Sequence, residues 1–190
     1  MVPFIVIAAL LVVAIVYFVG LYNGLVGLRE RVKQAWANID VLLKQRHDEL
    51  PKLIDACRQY MQYEQETLEK VMRARAAVST ASAGGNVAAV GAAEQELRAG
   101  VGRLFAVAEN YPQLKTDESF KQLQTRISGL EEAIADRREL YNEVVQINNT
   151  RVAQFPDVLI ARRYGFEARP LLQFAAAETA DVDVGAQFKR

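Results

Sequence analysis

The stretch VPFIVIAALLVVAIVYFVGL, from Val2 to Leu21, decides how this chain is organised. It contains no charged side chain, and the first charged residue after it is Arg29. A helix of about twenty residues rises about 30 Å, which is the thickness of a bilayer's hydrocarbon core. A cleaved signal peptide is the alternative, but it needs a basic N-terminal region and a shorter apolar run, and both are missing. The sequence therefore predicts a retained transmembrane anchor over residues 1–22.

The charges beside the anchor predict its orientation. Arg29, Arg31 and Lys33 follow the apolar stretch, whereas no lysine or arginine precedes it. The positive-inside rule then places the part of the chain after the anchor in the cytoplasm. An extracytoplasmic, periplasmic location of that part is the alternative.

The charge balance and the low numbers of cysteine and histidine exclude several classes of function. The 190 residues include 23 basic and 23 acidic side chains, so no net field favours a nucleic-acid partner. Cys57 is the single cysteine and His47 the single histidine, which excludes an intrachain disulfide and a di-iron bundle built on two Glu-x-x-His pairs. No nucleophile elbow, phosphate-binding loop or dinucleotide fingerprint occurs. We therefore expect no catalytic residues, no cofactor and no metal site.

Beyond the anchor, apolar residues recur at alternating spacings of three and four, which is typical of amphipathic helices. Helix one should continue the anchor to about Glu49, because Pro51 removes an amide donor and clashes with the preceding turn. Pro51 then begins helix two, which extends to Val78; the alternative is one long helix kinked at Pro51. Segment 79–86 is expected to form a loop whose last residue, Asn86, caps helix three.

Two further helices complete the predicted fold. Helix three carries its apolar residues over 90–108 and helix four over 120–155, with Thr116 as the expected N-cap of helix four. Four amphipathic helices with short connections predict an all-α fold, in which the transmembrane helix precedes an antiparallel, up-down-up-down four-helix bundle of long helices over residues 23–156. The expected structural core includes Trp36, Ile39, Leu130, Ile134 and Tyr141.

The segment after Pro156 mixes apolar and basic residues, and the antiparallel topology would place Pro156 near Leu21, at the membrane. Such a mixture suits the membrane interface, so residues 157–174 are predicted to form a membrane-proximal strap. The alternative is that this segment packs over the base of the bundle and has a structural role only. Residues 175–190, which are polar and rich in alanine, are predicted to be disordered. The candidate interaction surface consists of Arg162, Arg163, Tyr164, Phe166 and Arg169.

Several short motifs are typical of one known family. They are Tyr22–Asn23, Ala35–Val41, Lys44, Arg46, Asp48–Pro51, Ala74–Arg75, Tyr141–Asn142, Asn149–Thr150 and Phe155–Pro156. Through them the chain resembles the LemA family of bacterial membrane proteins, from Leu21 to Phe166. The resemblance implies an N-terminal anchor, a four-helix bundle, a single-pass location in the bacterial inner (plasma) membrane and no established enzymatic activity. Some relatives belong to magnetosome membranes.

The anchor, the bundle and the missing catalytic motifs together favour a non-enzymatic membrane scaffold or adaptor. One alternative is a metal-binding or catalytic bundle that uses carboxylates such as Glu64, Glu66 and Glu131. The acidic residues Glu131, Glu132, Asp136 and Glu139 are interspersed with Arg137 and Arg138, however, which favours a solvated helix face at these positions. Another is a signalling bundle that transmits movements of the anchor through helix one. The expected partners are the lipid bilayer, further copies of the chain in a homo-oligomer, and a membrane protein of unknown identity.

Overall fold

The computed structural model describes residues 2–173, and every regular element within them is helical. The helices are α1 Val2–Arg58, α2 Gln65–Ala83, α3 Val87–Ala108, α4 Pro112–Thr116, α5 Glu118–Ala153 and α6 Asp157–Tyr164. The predicted all-α class is therefore confirmed for this part of the chain. The tail predicted to be disordered, residues 175–190, lies outside the described residues.

The chain divides into two compact units, and the divisions fall within α1 and α5. Unit 1 contains the described residues of Met1–Leu42 and Ala133–Leu171. Unit 2 contains those of Leu43–Glu132 and Leu172–Arg190. The up-down-up-down arrangement of four long helices stays a prediction.

The helix end predicted before Pro51 is wrong, and the alternative of one long helix through this residue is confirmed. α1 continues to Arg58, so the first residues assigned to helix two belong to it. Pro51 has no amide hydrogen for the carbonyl of His47, one turn earlier. The Nε of Arg75, in α2, donates to that carbonyl at 2.8 Å instead. A side chain from another helix thus satisfies the acceptor that proline leaves free, and the helix tolerates the proline.

Two helix starts show how side chains set the helix boundaries. The loop predicted over 79–86 is shorter, because α2 continues to Ala83. Asn86 caps α3 as predicted, since its side-chain oxygen accepts from the Ala89 amide at 3.1 Å. Thr116 is not the cap of the last long helix. It ends the short α4, and Asp117 caps α5 by accepting from the Phe120 amide at 2.9 Å.

The core of unit 2 draws on α1, α2, α3, α4 and α5. Leu53, Leu104 and Ile127 are fully buried in it, as is Cys57. Burial raises the pKa of the Cys57 thiol to about 12, so this cysteine packs as a small apolar side chain. α2 and α3 form an antiparallel hairpin, in which Gly100 lets α3 approach closely: a Cβ there would lie 3.4 Å from the side chain of Val71.

In unit 1, α1 and α5 pack antiparallel. Trp36 contacts Tyr141 with ring centroids 5.6 Å apart, and Val152, further along α5, packs on the cluster around Leu25, further back along α1. Of the five residues expected in the structural core, Ile39, Ile134 and Tyr141 are buried. Trp36 and Leu130 are only half-buried.

Candidate interaction surface

The most exposed apolar surface belongs to the first part of α1. Within residues 2–173, α1 is the one helix long and apolar enough to cross a membrane. Its most apolar window has a mean hydropathy of 3.1 and is not buried by any other part of the described chain. Residues 2–20, hereafter the apolar segment, are all exposed. A core helix of a soluble protein would be buried by other parts of the chain. The exposure of this apolar surface therefore indicates that it contacts lipid or a partner.

α6 is fixed beside the end of the apolar segment by one ion pair. Asp157, the first residue of α6, is buried, and its Oδ1 accepts from Arg151 Nη2 at 2.8 Å and Nε at 3.2 Å. Gly24 makes room for this pair, since a Cβ there would lie 3.3 Å from Arg151 Nη2. Gly165, with φ 70°, ends α6 in the left-handed conformation that glycine adopts most readily.

Aromatic contacts place α6 against the same stretch of α1. The ring centroid of Tyr164 lies 6.1 Å from that of Phe18 and 5.1 Å from that of Tyr22. Phe166 lies 5.7 Å from Tyr22, and the Arg29 guanidinium sits 5.4 Å from the centre of the Phe166 ring. Edge-on ring contacts of this kind add to the free energy of simple burial. α6 is thereby positioned at the end of the apolar segment that precedes the first charged residues.

A groove separates α6 from the apolar segment. This α6 groove has a volume of about 390 Å³. Pro156 and Leu21 both line it, which confirms the predicted proximity of these two residues. Its other lining residues are Ala14, Tyr17, Phe18, Leu159, Ile160, Arg163 and Tyr164. The lining is mostly apolar, and its polar groups are the Arg163 guanidinium and the hydroxyls of Tyr17 and Tyr164.

Side chains of α5 hold the segment that follows α6. Asn149 forms two hydrogen bonds with the backbone of Arg169: its Nδ2 donates to the carbonyl at 2.8 Å, and its Oδ1 accepts from the amide at 2.7 Å. Asn148 Nδ2 donates to the carbonyl of Glu167 at 3.3 Å, and the Tyr141 hydroxyl donates to that of Pro170 at 3.2 Å. These three residues on neighbouring turns of one helix hold the strap.

The structure separates the five residues of the predicted interaction surface. Arg162, Arg163 and Tyr164 are exposed on α6. Phe166 is buried in the cluster around Leu25 and so is a packing residue. The Arg169 side chain is exposed, but its backbone is bound to α5. Of the five, Arg163 and Tyr164 line the space beside the apolar segment.

The segment that the asparagine pair on α5 binds was not predicted, although the pair itself gave a signal in the sequence. Asn148 and Asn149 lie inside a long helix, where asparagine is unfavourable because its side chain competes for backbone hydrogen bonds. Two adjacent asparagines there indicate that another segment needs their amides. The partner backbone, residues 167–170, could not be identified from spacing alone.

A second polar feature is a charged cluster in the core of unit 2. Arg46 and Glu94 form an ion pair whose side chains are only 2% and 4% exposed. Glu131 lies close to both and is half-buried, although the sequence suggested a solvated face at this position. Burial raises the pKa of the Glu131 carboxyl, Arg46 and Arg98 oppose this shift, and Glu94 reinforces it. Arg46 Nε and Glu131 Oε1 are buried without a hydrogen-bond partner among the described residues.

The carboxylates considered for a metal-binding bundle do not come together. Glu66 is exposed and forms an ion pair with Lys70 at 2.6 Å, whereas Glu131 belongs to the buried cluster. Within residues 2–173, no group of three histidine, cysteine, aspartate or glutamate side chains is arranged to hold a metal ion.

Comparison with known proteins points to one family. The sequence model of the LemA family matches residues 35–186 of the chain. Protein LemA of Metamycoplasma hominis is 27% identical over 180 residues, which cover 92% of this chain and 80% of the relative.

Shorter matches link the chain to magnetosome proteins. Magnetosome protein MamQ 2 of Paramagnetospirillum magneticum is 33% identical over 73 residues, or 38% of this chain and 27% of that protein. Magnetosome protein MamQ of Magnetospirillum gryphiswaldense is 30% identical over 67 residues, or 35% of this chain and 25% of that protein. The chain thus spans about a quarter of the length of these two relatives.

Proposed function

We propose that this chain, which belongs to the LemA family, acts as a membrane-anchored, non-enzymatic scaffold or adaptor protein of the bacterial envelope. One observation carries the proposal. The exposed apolar segment and the helical stretch that enters the core of unit 2 are parts of a single, uninterrupted helix, α1. Such a helix gives a partner-binding body a permanent attachment to the membrane.

The exposure of the apolar segment supports membrane attachment on energetic grounds. Fully burying a large aliphatic side chain stabilises it by about 1.5–3 kcal/mol relative to water. Phe4, Ile5 and Leu10 are each more than 60% exposed, and nearly every neighbour in the segment is equally apolar. Placing this surface in a bilayer removes an unfavourable contact with water along the whole segment.

We further propose a single-pass location in the inner (plasma) membrane, with the part of the chain that follows the apolar segment in the cytoplasm. Arg29, Arg31 and Lys33 follow the apolar segment in the sequence. Arg162 and Arg163, on α6, add two exposed positive charges at the same end of that segment. More basic residues on this flank strengthen the preference for the cytoplasmic side.

The orientation can be tested with one cysteine. Tyr63, in the turn between α1 and α2, is 95% exposed, so Tyr63→Cys in a Cys57→Ala background gives a single accessible thiol. A membrane-impermeant maleimide should label it in lysed cells but not in intact spheroplasts. The matched control is the chain that retains only Cys57, whose buried thiol should react slowly in both preparations. Labelling of Tyr63→Cys in intact spheroplasts would reverse the orientation.

The scaffold role can be tested by crosslinking from the same position. Tyr63 lines an open groove of about 940 Å³, beside the half-buried Met72, which is a surface suited to a protein partner. A photoreactive amino acid at Tyr63 in the full chain should give discrete crosslinked products in cells. A product of twice the chain's mass would identify a homo-oligomer, and other masses would identify other partners. Recovery of uncrosslinked chain alone, from this position and from exposed Leu140, would refute the scaffold.

Attachment itself has a separate test. The full chain should remain in the membrane pellet after extraction with alkaline carbonate, and its N-terminus should be intact. Extraction into the supernatant, or a new N-terminus within residues 20–30, would refute a retained anchor.

A further inference from the structure

We infer that the α6 groove binds one phospholipid with an anionic headgroup, its acyl chain along the apolar segment and its phosphate at Arg163; this rests on the proposed membrane attachment. The inference concerns one defined site, which is more specific than a general attraction of basic residues to a membrane surface.

The shape and lining of the groove fit a lipid chain. A volume of about 390 Å³ lies within the range of small-molecule sites, which are mostly apolar with a few polar groups that fix orientation. Tyr17 and Phe18 form one wall and Leu159 forms part of the other. Ala14 leaves space at the end that reaches furthest into the apolar segment. The groove therefore opens onto the same exposed surface that membrane lipid would cover.

The charges near the groove select an anionic headgroup. The only acidic residue of α6, Asp157, is already bound to Arg151. Arg163 lines the groove, with its guanidinium 5.7 Å from the centre of the Tyr164 ring, and it has no carboxylate partner among the described residues. Arg162 is exposed beside it. A guanidinium is planar and donates two parallel hydrogen bonds to a phosphate, so it recognises this group better than an ammonium does.

The position of the cation along α1 agrees with the depth of a headgroup. Tyr164 contacts Phe18 and Tyr22, at the end of the apolar segment, and Arg163 is its neighbour. Tyrosines concentrate at the level where hydrocarbon meets headgroups. A phosphate held by Arg163 would thus lie at the interface, while Ala14, one helical turn deeper than Phe18, contacts the chain.

Another copy of the chain is the rival occupant of the groove. A second apolar segment could contact the same apolar wall. It would bring a second Arg162 and Arg163 to the same level, and like charges at one interface oppose association. The charge pattern therefore favours lipid.

Native mass spectrometry of the full chain in a mild detergent tests the inference. The probes are phosphatidylglycerol and phosphatidylcholine with identical acyl chains. We expect a single phosphatidylglycerol adduct, bound about tenfold more tightly than phosphatidylcholine. Arg163→Gln should reduce that preference about fivefold or more, since each basic residue near an anionic surface contributes on this scale. Ala14→Phe should fill the groove and weaken both lipids. Arg58→Gln, at an exposed arginine far along α1, is the matched control and should change neither.

Each outcome either supports the lipid site in the α6 groove or overturns it. Equal binding of the two lipids by the wild type, or unchanged adducts in Arg163→Gln and Ala14→Phe, would overturn the inference. A dimer that Ala14→Phe disrupts would also overturn it and would assign the groove to a second copy. The carbonate extraction described above is independent of these variants: a chain that stays in the membrane but lacks the lipid preference refutes only the lipid site.

Discussion

Removing Arg46 should destabilise the protein more than removing its ion-pair partner Glu94. The side chains of this pair are 2% and 4% exposed, and Glu131 is the third member of the cluster. Arg46→Met leaves the buried Glu94 and the half-buried Glu131 without the cation between them. Glu94→Leu leaves the guanidinium with Glu131 as a remaining counter-charge. The two single substitutions are therefore unequal, although they break the same ion pair.

The expected magnitudes follow from the burial of each group. Breaking a buried pair by removing one partner costs about 3–5 kcal/mol, and we assign this range to Arg46→Met. A lost hydrogen bond between charged groups, with another partner still in reach, costs about 1.5–3 kcal/mol, which we assign to Glu94→Leu. Replacing both members with apolar residues of similar volume is often neutral or stabilising, so the double variant should be more stable than Arg46→Met alone.

Urea unfolding of the full chain in a mild detergent, followed by far-ultraviolet circular dichroism, measures these differences. Arg126→Met is the matched control. Arg126 lies 3.2 Å from Glu49 in an ion pair, but its own side chain is 70% exposed, so its loss should cost less than about 1 kcal/mol. The reasoning is refuted if Arg46→Met costs no more than this control, or if the double variant loses as much as the sum of the two single ones.

Three further changes test other parts of the molecule. Glu131→Gln should stabilise the protein near neutral pH, because folding raises the pKa of the Glu131 carboxyl. The protonated carboxyl contributes stability below the ordinary glutamate pKa, and this contribution is lost as the pH rises through the raised pKa. Thermal melts over a pH series measure the effect, and a pH-independent difference between the two proteins would contradict it. Asn149→Ala removes both hydrogen bonds to the Arg169 backbone, so amide exchange at Arg169 should accelerate about tenfold or more; unchanged exchange would mean that other contacts hold the strap. Trp36→Ala should cost about 1.5–3 kcal/mol in urea unfolding, less than the roughly 3–5 kcal/mol of a fully buried tryptophan, because the ring is half-buried against Tyr141; a loss in the higher range would show that Trp36 is a core residue.

The helical class and some helix caps could be predicted, because each depends on residues within a few turns of one another in the sequence. The spacing of apolar residues predicted the helical class because one buried stripe repeats every three or four residues. Asn86 was predicted as a cap because its side chain binds an amide only three residues away. Thr116 was chosen wrongly as the next cap, since Asp117 beside it satisfies the same local rule and only the position of α4 decides between them.

Features that depend on contacts between residues far apart in the chain could not be predicted from the sequence. Pro51 was expected to end a helix, because nothing nearby could replace its missing amide, and the donor came from Arg75 in another helix. Glu131 was assigned to a solvated face, because its distance in sequence from Arg46 and Glu94 hid their proximity. Burial and charge pairing are properties of the assembled core.

The sequence by itself determined that the chain is helical and that it begins with a segment apolar enough to cross a membrane, because both follow from composition and from periodicity over a few turns. It also located the basic residues that follow Pro156. Only the tertiary structure decided which of them share a surface: the ion pair of Arg151 with Asp157 and the ring contacts of Tyr164 bring α6 to the apolar segment. The hydrogen bonds of Asn149 hold the backbone of Arg169 against α5. The physical reason is that such contacts join residues far apart in the sequence, and their geometry exists only once the helices have packed.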